Sequence, residues 1–229
     1  MFIENLINFI DKIYHQKKIL NFLSTTSIKT IIDVGSHKGE FISYALRIPG
    51  VVKIYAFEPQ KNIFKILKKK YINNPKVHPF CLALDKSSMK RQIKINKFTM
   101  TSTLSEFNNS SFFFKFKSIL LREKNLIINK YTIQTKSLDE FFIGKKISKE
   151  ILLKIDTEGF EYNVLIGSSK FIKNFRYILI EKQFTNMYKN SKFQDCENFL
   201  KKNNFKLFKK FIFPTFHFED RLYVREISN

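Results

Sequence analysis

Two short motifs follow one another in the order of a nucleoside-binding half-site. Residues 31–41 read IIDVGSHKGEF, an apolar run that ends in Asp33 and continues into a glycine turn. Residues 53–59 read KIYAFEP, a second apolar run that ends in Glu58. A strand, a glycine-rich turn into a helix and an acid at the tip of the next strand are typical of such sites in parallel α/β sheets. The motifs predict an adenosine-containing cofactor: Gly35 would admit a close ligand, and Glu58 would accept hydrogen bonds from ribose.

The glycine pattern favours S-adenosylmethionine over a dinucleotide. A dinucleotide site usually shows G-x-G-x-x-G, with the pyrophosphate on the helix N-terminus. Here the pattern from Asp33 to Gly39 is D-x-G-x-x-x-G, with an acid just before the first glycine. A carboxylate there would repel a pyrophosphate and attract the ammonium group of S-adenosylmethionine. An NAD-linked oxidoreductase is therefore disfavoured, and a strand–turn–helix corner without a ligand remains the plain alternative.

Length and composition indicate a globular, cytoplasmic protein. The chain of 229 residues suits a single domain, and no apolar run approaches the ~20 residues that cross a bilayer. The N-terminus lacks the small-residue cleavage site of a signal peptide, and Cys81 and Cys196 provide no disulfide framework. We expect an amphipathic helix within residues 1–25, one domain over 26–229, and a variable insertion or lid at about 101–130.

The net charge of +21 invites a nucleic-acid partner. The lysines, however, are spread along the whole chain, and an AT-rich coding sequence would give the same bias towards Lys, Asn, Ile and Phe. The densest clusters, Lys68–Lys70 and Lys201–Lys210, read as solvated helix faces or strand edges. Nucleic acid is therefore a weaker expectation than a phosphate-bearing substrate or an anionic membrane surface. The N-terminal helix could pack on the domain, pair two subunits as a homodimer or rest on the inner face of the membrane.

Apolar segments with strand and helix periodicity alternate along the chain, which predicts parallel βαβ units. The predicted strands lie at about 30–34, 53–57, 77–83, 151–156 and 176–184. The predicted helices lie at about 2–23, 38–47, 60–72 and 193–203, with a further helix from near residue 160. Two final strands, separated by a turn, predict an antiparallel pair at the C-terminus.

Seven motifs in one order resemble the FkbM-type S-adenosylmethionine-dependent methyltransferases. They are IIDVGSHKGEF, YAFEP, CLALDKS, TSTL, TKSLDEFF, LLKIDTEGFEYNVLIG and ILIEKQF, and the resemblance covers roughly residues 28–185. The most distinctive is the K-I-D-x-E-G-x-E-x-x-V-L-x-G run. The resemblance implies a Rossmann-like class I methyltransferase fold, which is an α/β fold with a mostly parallel, doubly wound sheet. It also implies a C-terminal antiparallel strand pair and an N-terminal helix.

The resemblance also implies roles for individual residues. The implied cofactor-binding residues are Asp33, Gly35, Ser36, Gly39, Glu58, Pro59, Ala83, Asp85 and Asp156. The acid and the glycines of the first motif would line the methionine end, and Glu58 would hold the ribose. Ala83 and Asp85 would lie beside the adenine, and Asp156 would lie near the transferable methyl group.

The predicted activity is O-methylation of a sugar, a glycan or a small metabolite, since the family commonly methylates hydroxyl groups. Alignment supplies most of the acceleration of a methyl transfer, but a hydroxyl acceptor must also lose its proton. The candidate bases are Asp156, then Glu158, then His37. Asp156, Glu158 and Glu181 would offer oxygen ligands to Mg²⁺, but we predict no metal site. The alternatives are a nucleic-acid methyltransferase and a Rossmann-like binding protein without catalysis.

Overall fold

The computed structural model describes residues 15–96, 103–105, 127–147, 150–184, 193–213 and 218–226. The helices are α1 (Gln16–Leu23), α2 (Glu40–Ala45), α3 (Lys61–Lys70), α4 (Leu138–Phe141), α5 (Glu161–Ile166) and α6 (Phe193–Lys202), with a 3₁₀ turn at Phe171–Asn174. The first strands are β1 (Thr30–Val34), β2 (Lys53–Phe57), β3 (Val77–Phe80), β4 (Ala83–Leu84) and β5 (Lys90–Asn96). The others are β6 (Ile127–Lys136), β7 (Ile151–Ile155), β8 (Phe175–Gln183), β9 (Phe205–Ile212) and β10 (Phe218–Arg225).

Seven strands form one mixed sheet in the order β3-β2-β1-β7-β8-β10-β9. The first five of these pair in parallel, and β10 pairs antiparallel with both β8 and β9. The chain leaves β1 towards one edge of the sheet and later returns to β7 on the other side of β1. Ligands of open α/β sheets collect at such a switch point, beyond the carboxyl ends of the strands. The predicted sheet, including its antiparallel C-terminal pair, is confirmed.

The central strands are apolar runs because helices cover both faces of the sheet. Every residue of β1 and β7 is buried. One face packs against α1, α2 and α3 through an apolar cluster that includes Ile19, Ile42 and Leu67. The opposite face packs against α4, α5 and α6 through a second cluster that includes Val164 and Leu200. The helical periodicity predicted from the sequence therefore matches the buried sides of the helices.

Two predicted element boundaries were wrong. The helix expected from residue 38 begins at Glu40, because Gly39 at its N-cap has a left-handed φ of 76°. The strand expected at 77–83 ends at Phe80, where the Leu82 amide bonds back to the Phe80 carbonyl at 3.0 Å and turns the chain. Residues 83–84 instead join a separate three-stranded sheet in the order β4-β6-β5. This small sheet holds both ends of the predicted insertion.

The N-terminal helix and the insertion are described only in part. Helix α1 buries Ile19 and Leu23 against the domain, whereas residues 1–14 of the predicted helix lie outside the described residues. Of the insertion predicted at 101–130, the described residues are 103–105 and the first part of β6. In the part of the chain that is described, no helix combines the length and hydropathy that a membrane span requires.

Candidate functional site

A row of acids lies at the carboxyl edge of the large sheet, on the face covered by α1 and α2. Strand register brings Asp33 beside Lys154, and Glu181 beside Asp220. Side chains alternate along a strand, so Asp156, two residues after Lys154, lies on this same face. We call this set the acid row; its members are Asp33, Asp156, Glu181 and Asp220.

The glycine turn after β1 is held by the strands on both sides. The amides of Gly35 and Ser36 both donate to the Phe57 carbonyl at 3.0 Å. Gly35 has a φ of 85°, and a Cβ at this position would lie 1.9 Å from the Asp156 carbonyl oxygen. A Cβ on Gly39 would lie 2.5 Å from the ring of Tyr71. Both glycines are therefore required by packing within the chain, and their contact with a cofactor stays a prediction.

Glu58 closes β2 with a buried carboxylate that faces the glycine turn. Its Oε2 accepts a hydrogen bond from the His37 amide at 3.0 Å, and its Oε1 accepts one from the Gln60 amide at 2.7 Å. Burial raises the pKa of Glu58 to about 7, against the opposing effect of these backbone donors. The Gln60 side chain also hydrogen-bonds this carboxylate, which keeps some acceptor capacity for a ribose hydroxyl.

Asp33 presents a carboxylate suited to an ammonium group. It is fully buried, and neither of its oxygens has a hydrogen-bond partner among the described residues. Burial raises its pKa, and the charge of Lys154, whose Nζ lies 3.5 Å from Asp33 Oδ1, acts in the opposite direction. Lys154 therefore compensates the buried charge in part, and the carboxylate keeps acceptor capacity for a further cationic donor. Since neither oxygen is exposed, contact between Asp33 and the ammonium group of S-adenosylmethionine stays a prediction.

Asp156 is the accessible acid of the row. Its side chain is 34% exposed, and its Oδ2 accepts a hydrogen bond from Lys154 Nζ at 3.1 Å. Its backbone carbonyl lies against Gly35, so the acid adjoins the glycine turn. An acceptor molecule can therefore reach Asp156 beside the predicted cofactor site.

Glu158 and Glu181 lie next to Asp156. Oxygens of the three carboxylates fall within 4.8 Å of one another, and Gln183 Nε2 donates to Glu158 at 2.6 Å and to Glu181 at 3.1 Å. Burial, followed by the charges of Asp156 and Glu158, raises the pKa of Glu181 well above its usual range. Glu158 has a left-handed φ of 56°, a strained conformation that often marks functional loops. The three acids could share a proton or one divalent cation, and their spacing alone does not decide between these.

Two further residues, which the sequence did not single out, hold the loop of Asp156 and Glu158. Glu161 Oε1 accepts hydrogen bonds from the amides of Thr157 at 3.2 Å and Gly159 at 2.9 Å. Thr103, from the insertion, donates its hydroxyl to the Glu158 carbonyl at 2.7 Å. Two sequence signals could have identified these residues: Glu161 is the second Glu of the E-G-x-E run, and Thr103 lies in the TSTL motif.

A buried histidine joins the N-terminal helix to the acid row. His15 Nε2 lies 2.7 Å from Asp220 Oδ2, and the ring is fully buried between Phe213 and Phe218. The two partners are 205 residues apart in the sequence. No local motif connects them, so sequence reasoning had no signal for this contact.

The side chains of two other predicted site residues, Asp85 and His37, contact residues outside the acid row. Asp85 is fully buried, and its carboxylate accepts hydrogen bonds at 2.7 Å from Arg91 Nε and from the Lys86 amide. The His37 ring contacts Glu40 at 3.0 Å, while the His37 amide binds Glu58. The roles predicted for Asp85 at the adenine and for His37 as a base stay predictions.

The remaining predicted cofactor residues lie near the tips of the strands. Ser36 donates its hydroxyl to the Asp33 carbonyl at 2.8 Å, which tightens the glycine turn. Pro59 follows Glu58 and is partly exposed, whereas Ala83 is buried in the small sheet. Their contacts with the cofactor also stay predictions.

Comparison with known proteins gives a family match and a set of fold relatives. The profile described as the Methyltransferase FkbM domain matches residues 33–207. No curated protein matches the chain in sequence. A methyltransferase FkbM from Methylobacillus flagellatus KT superposes with a TM-score of 0.56 at 12% identity, over 86% of this chain and 44% of that one. This chain thus spans less than half of that relative's length.

Two other solved structures were obtained with a cofactor or its product. TrmK from M. capricolum, in complex with S-adenosyl-homocysteine, has a TM-score of 0.51 at 10% identity, over 92% of this chain and 68% of that one. Aeropyrum pernix fibrillarin, with natively bound S-adenosyl-L-methionine, has a TM-score of 0.50 at 11% identity. The match covers 88% of this chain and 68% of the fibrillarin chain. At these identities the likeness establishes the fold, and the predicted Rossmann-like methyltransferase architecture is confirmed.

Proposed function

The chain belongs to the FkbM methyltransferase domain family, a family of S-adenosylmethionine-dependent methyltransferases, and from this premise we propose that it methylates a hydroxyl group. The proposed acceptor is a sugar, a glycan or a small hydroxylated metabolite. The observation that carries the proposal is Asp156, a 34% exposed carboxylate that directly adjoins the glycine turn. A base beside the methyl group is what a hydroxyl acceptor needs and what a stronger nucleophile could omit.

Three residues would bind the cofactor, each through a different group. Glu58 would accept a hydrogen bond from the ribose, because its carboxylate closes β2 opposite the glycine turn and has more acceptor sites than its present donors fill. Asp33 would attract the ammonium group through its negative charge, because its strand leads directly into the glycine turn. Gly35 would leave space along the turn, where a side chain would also collide with Asp156.

When bound, S-adenosylmethionine would supply a methyl group on a cationic sulfur. The acceptor oxygen would form a bond to the methyl carbon as the carbon–sulfur bond breaks, and S-adenosylhomocysteine would leave. The hydroxyl proton passes to Asp156, or through it to the neighbouring pair Glu158 and Glu181. Burial and the neighbouring acids raise the pKa of Glu181, so its ionised form would be a stronger base than an exposed carboxylate. Alignment of the acceptor against the methyl group supplies most of the remaining acceleration.

The basic surface suits acceptors that carry phosphate. The net charge of +21 would concentrate anionic molecules such as sugar nucleotides or lipid-linked sugars around the protein. The same charge is the one feature that favours a nucleic-acid acceptor. Identifying the methylated product would distinguish a phosphate-bearing sugar acceptor from a nucleic-acid acceptor.

Labelled S-adenosylmethionine tests the reaction directly. The protein is incubated with methyl-tritiated cofactor and separate pools of sugar nucleotides, lipid-linked sugars, transfer RNA and duplex DNA. Methyl label on a sugar hydroxyl is the expected result. Label on nucleic acid alone would replace this proposal with a nucleic-acid methyltransferase, and cofactor binding without label on any pool would favour a binding protein.

The role of Asp156 is tested in the same assay with Asp156→Asn. We expect turnover to fall by at least roughly a hundredfold, a larger effect than the weakening of S-adenosylmethionine binding, because the amide still accepts the Lys154 hydrogen bond. Asp195→Asn on α6, which packs on the opposite face of the sheet, is the matched control. Full turnover in a folded Asp156→Asn protein would reject Asp156 as the base and direct attention to Glu158 and Glu181.

A further inference from the structure

Lys154 lies inside the acid row and contacts two of its members. Its Nζ lies 3.5 Å from Asp33 Oδ1 and 3.1 Å from Asp156 Oδ2. It also lies 5.3 Å from the centre of the Phe41 ring on α2, and the residue is only 6% exposed. One ammonium group thus joins the acid predicted to bind the cofactor to the acid predicted to act on the acceptor.

A buried lysine is retained only where its charge is compensated. Burial alone would lower the pKa of Lys154, but the charges of Asp156 and Asp33 outweigh burial and raise it. Lys154 therefore stays protonated. Burial raises the pKa of Asp33, and among the groups that favour its ionised form the charge of Lys154 at 3.5 Å has the largest effect, followed by the Ser36 hydroxyl.

We propose that Lys154 is a positioning residue: it keeps the Asp33 carboxylate ionised and oriented for the cofactor's ammonium group, and it orients Asp156 towards the acceptor. It acts through these two acids and touches neither the methyl group nor the acceptor. The inference rests on the proposed function, because it assumes that Asp33 binds the cofactor. It assigns a role to the lysine of the K-I-D-x-E-G run.

The direction in which cofactor affinity changes when Lys154 is removed distinguishes this role from simple neutralisation of the acids. If both acids stayed ionised without the lysine, removing a positive charge would strengthen the binding of a cationic cofactor. If Lys154 maintains the acids, its removal leaves Asp33 protonated and weakens binding. The two accounts therefore predict opposite changes in affinity.

The experiment is a double-mutant cycle of Lys154→Met and Asp33→Asn, read by calorimetric titration with S-adenosylmethionine. We expect Lys154→Met to weaken binding by roughly tenfold or more, and to have little further effect in the Asp33→Asn background, because coupled residues are not additive. Lys154→Arg should recover most of the affinity. Lys76→Met is the control, since Lys76 donates to the Val51 carbonyl at the opposite end of the sheet.

Foldedness is checked by thermal melting of each variant. If Lys154→Met alone does not fold, the double variant removes both charges of the pair and is compared with Asp33→Asn. Unchanged or tighter binding in Lys154→Met, or strict additivity in the cycle, overturns the proposal. So does a further large loss when Lys154→Met is added to Asp33→Asn. A wild-type protein that does not bind S-adenosylmethionine would instead refute the proposed function on which the inference rests.

Discussion

Glu58 couples the stability of the protein to its predicted ribose contact. Its pKa is about 7 in the folded protein, against an ordinary value of 4.5. Between these values the folded protein holds a proton that the unfolded chain releases, so stability falls as pH rises from 4.5 through 7. The buried charge costs up to roughly 3 kcal/mol above pH 7. A ribose that donates a hydrogen bond to the ionised carboxylate would offset this cost.

Cofactor affinity should therefore depend on pH through Glu58. We expect the affinity of the wild-type protein for S-adenosylmethionine to rise as pH increases from 6 to 8, and the slope to be lost in Glu58→Gln. Calorimetric titrations across this range measure both proteins, with Glu226→Gln as a surface control. Parallel slopes in wild type and Glu58→Gln would exclude Glu58 as the titrating ribose ligand.

Gly35 allows a comparison between backbone strain and steric collision. Gly35 and Gly144 both have left-handed φ angles, but a Cβ on Gly144 meets no atom within 4 Å. We expect Gly144→Ala to cost about 1 kcal/mol of unfolding free energy, which is the cost of the φ angle alone. Gly35→Ala should cost far more or prevent folding, because its Cβ would overlap the Asp156 carbonyl. Denaturant unfolding of both variants measures the difference, and equal costs would mean that the turn can move away from β7.

Individual site residues divide by whether a local motif marks them. Asp33 and Glu58 each end an apolar run beside a turn, so the sequence predicted both positions. Lys154 belongs to the K-I-D-x-E-G run, but its contact with Asp33, like the contact of Asp220 with His15, joins residues that are distant in the sequence. A single sequence carries no signal for register, and these contacts could not be predicted.

At the scale of elements, the small sheet is tied to the loop that carries the proposed base. Thr103 pairs with Lys94 of β5 through two backbone hydrogen bonds, at 3.0 and 3.1 Å, and its hydroxyl donates to the Glu158 carbonyl. Thr103→Val keeps the side-chain shape and removes this donor. We expect a loss of stability of about 1–2 kcal/mol and a lower kcat, with cofactor affinity retained.

Steady-state kinetics and calorimetry on Thr103→Val separate these effects. Thr132→Val, in the exposed part of β6, is a control for the substitution itself. A drop in S-adenosylmethionine affinity equal to the drop in kcat would contradict a role confined to the Glu158 loop.

The ends of helices and strands were predictable where the apolar periodicity stopped at the same position as a run of turn residues. The apolar runs of β1 and β2 lie between polar turns, and their predicted ends match the structure. The division between β3 and β4 was missed because the apolar character continues across it. There the chain is turned by a backbone hydrogen bond, which side-chain patterns do not reveal.

At the scale of the whole molecule, the fold was predictable because the order of βαβ units and the final strand pair are both visible in the sequence. The gathering of acids at the strand tips was predictable as well, except that Asp220 of β10 joins them through its register with Glu181. A chain with a net charge of +21 gathers acids on one face of one sheet edge, beside a single glycine turn. Such a site suits a cationic cofactor, while the basic exterior suits anionic acceptors.

The most direct test of this account is a calorimetric titration of the purified protein with S-adenosylmethionine and, separately, with NAD, each repeated on Glu58→Ala. The account predicts micromolar binding of S-adenosylmethionine, a clear loss of affinity in Glu58→Ala and no binding of NAD. Binding of NAD alone, or S-adenosylmethionine binding that is unaffected by Glu58→Ala, would contradict it.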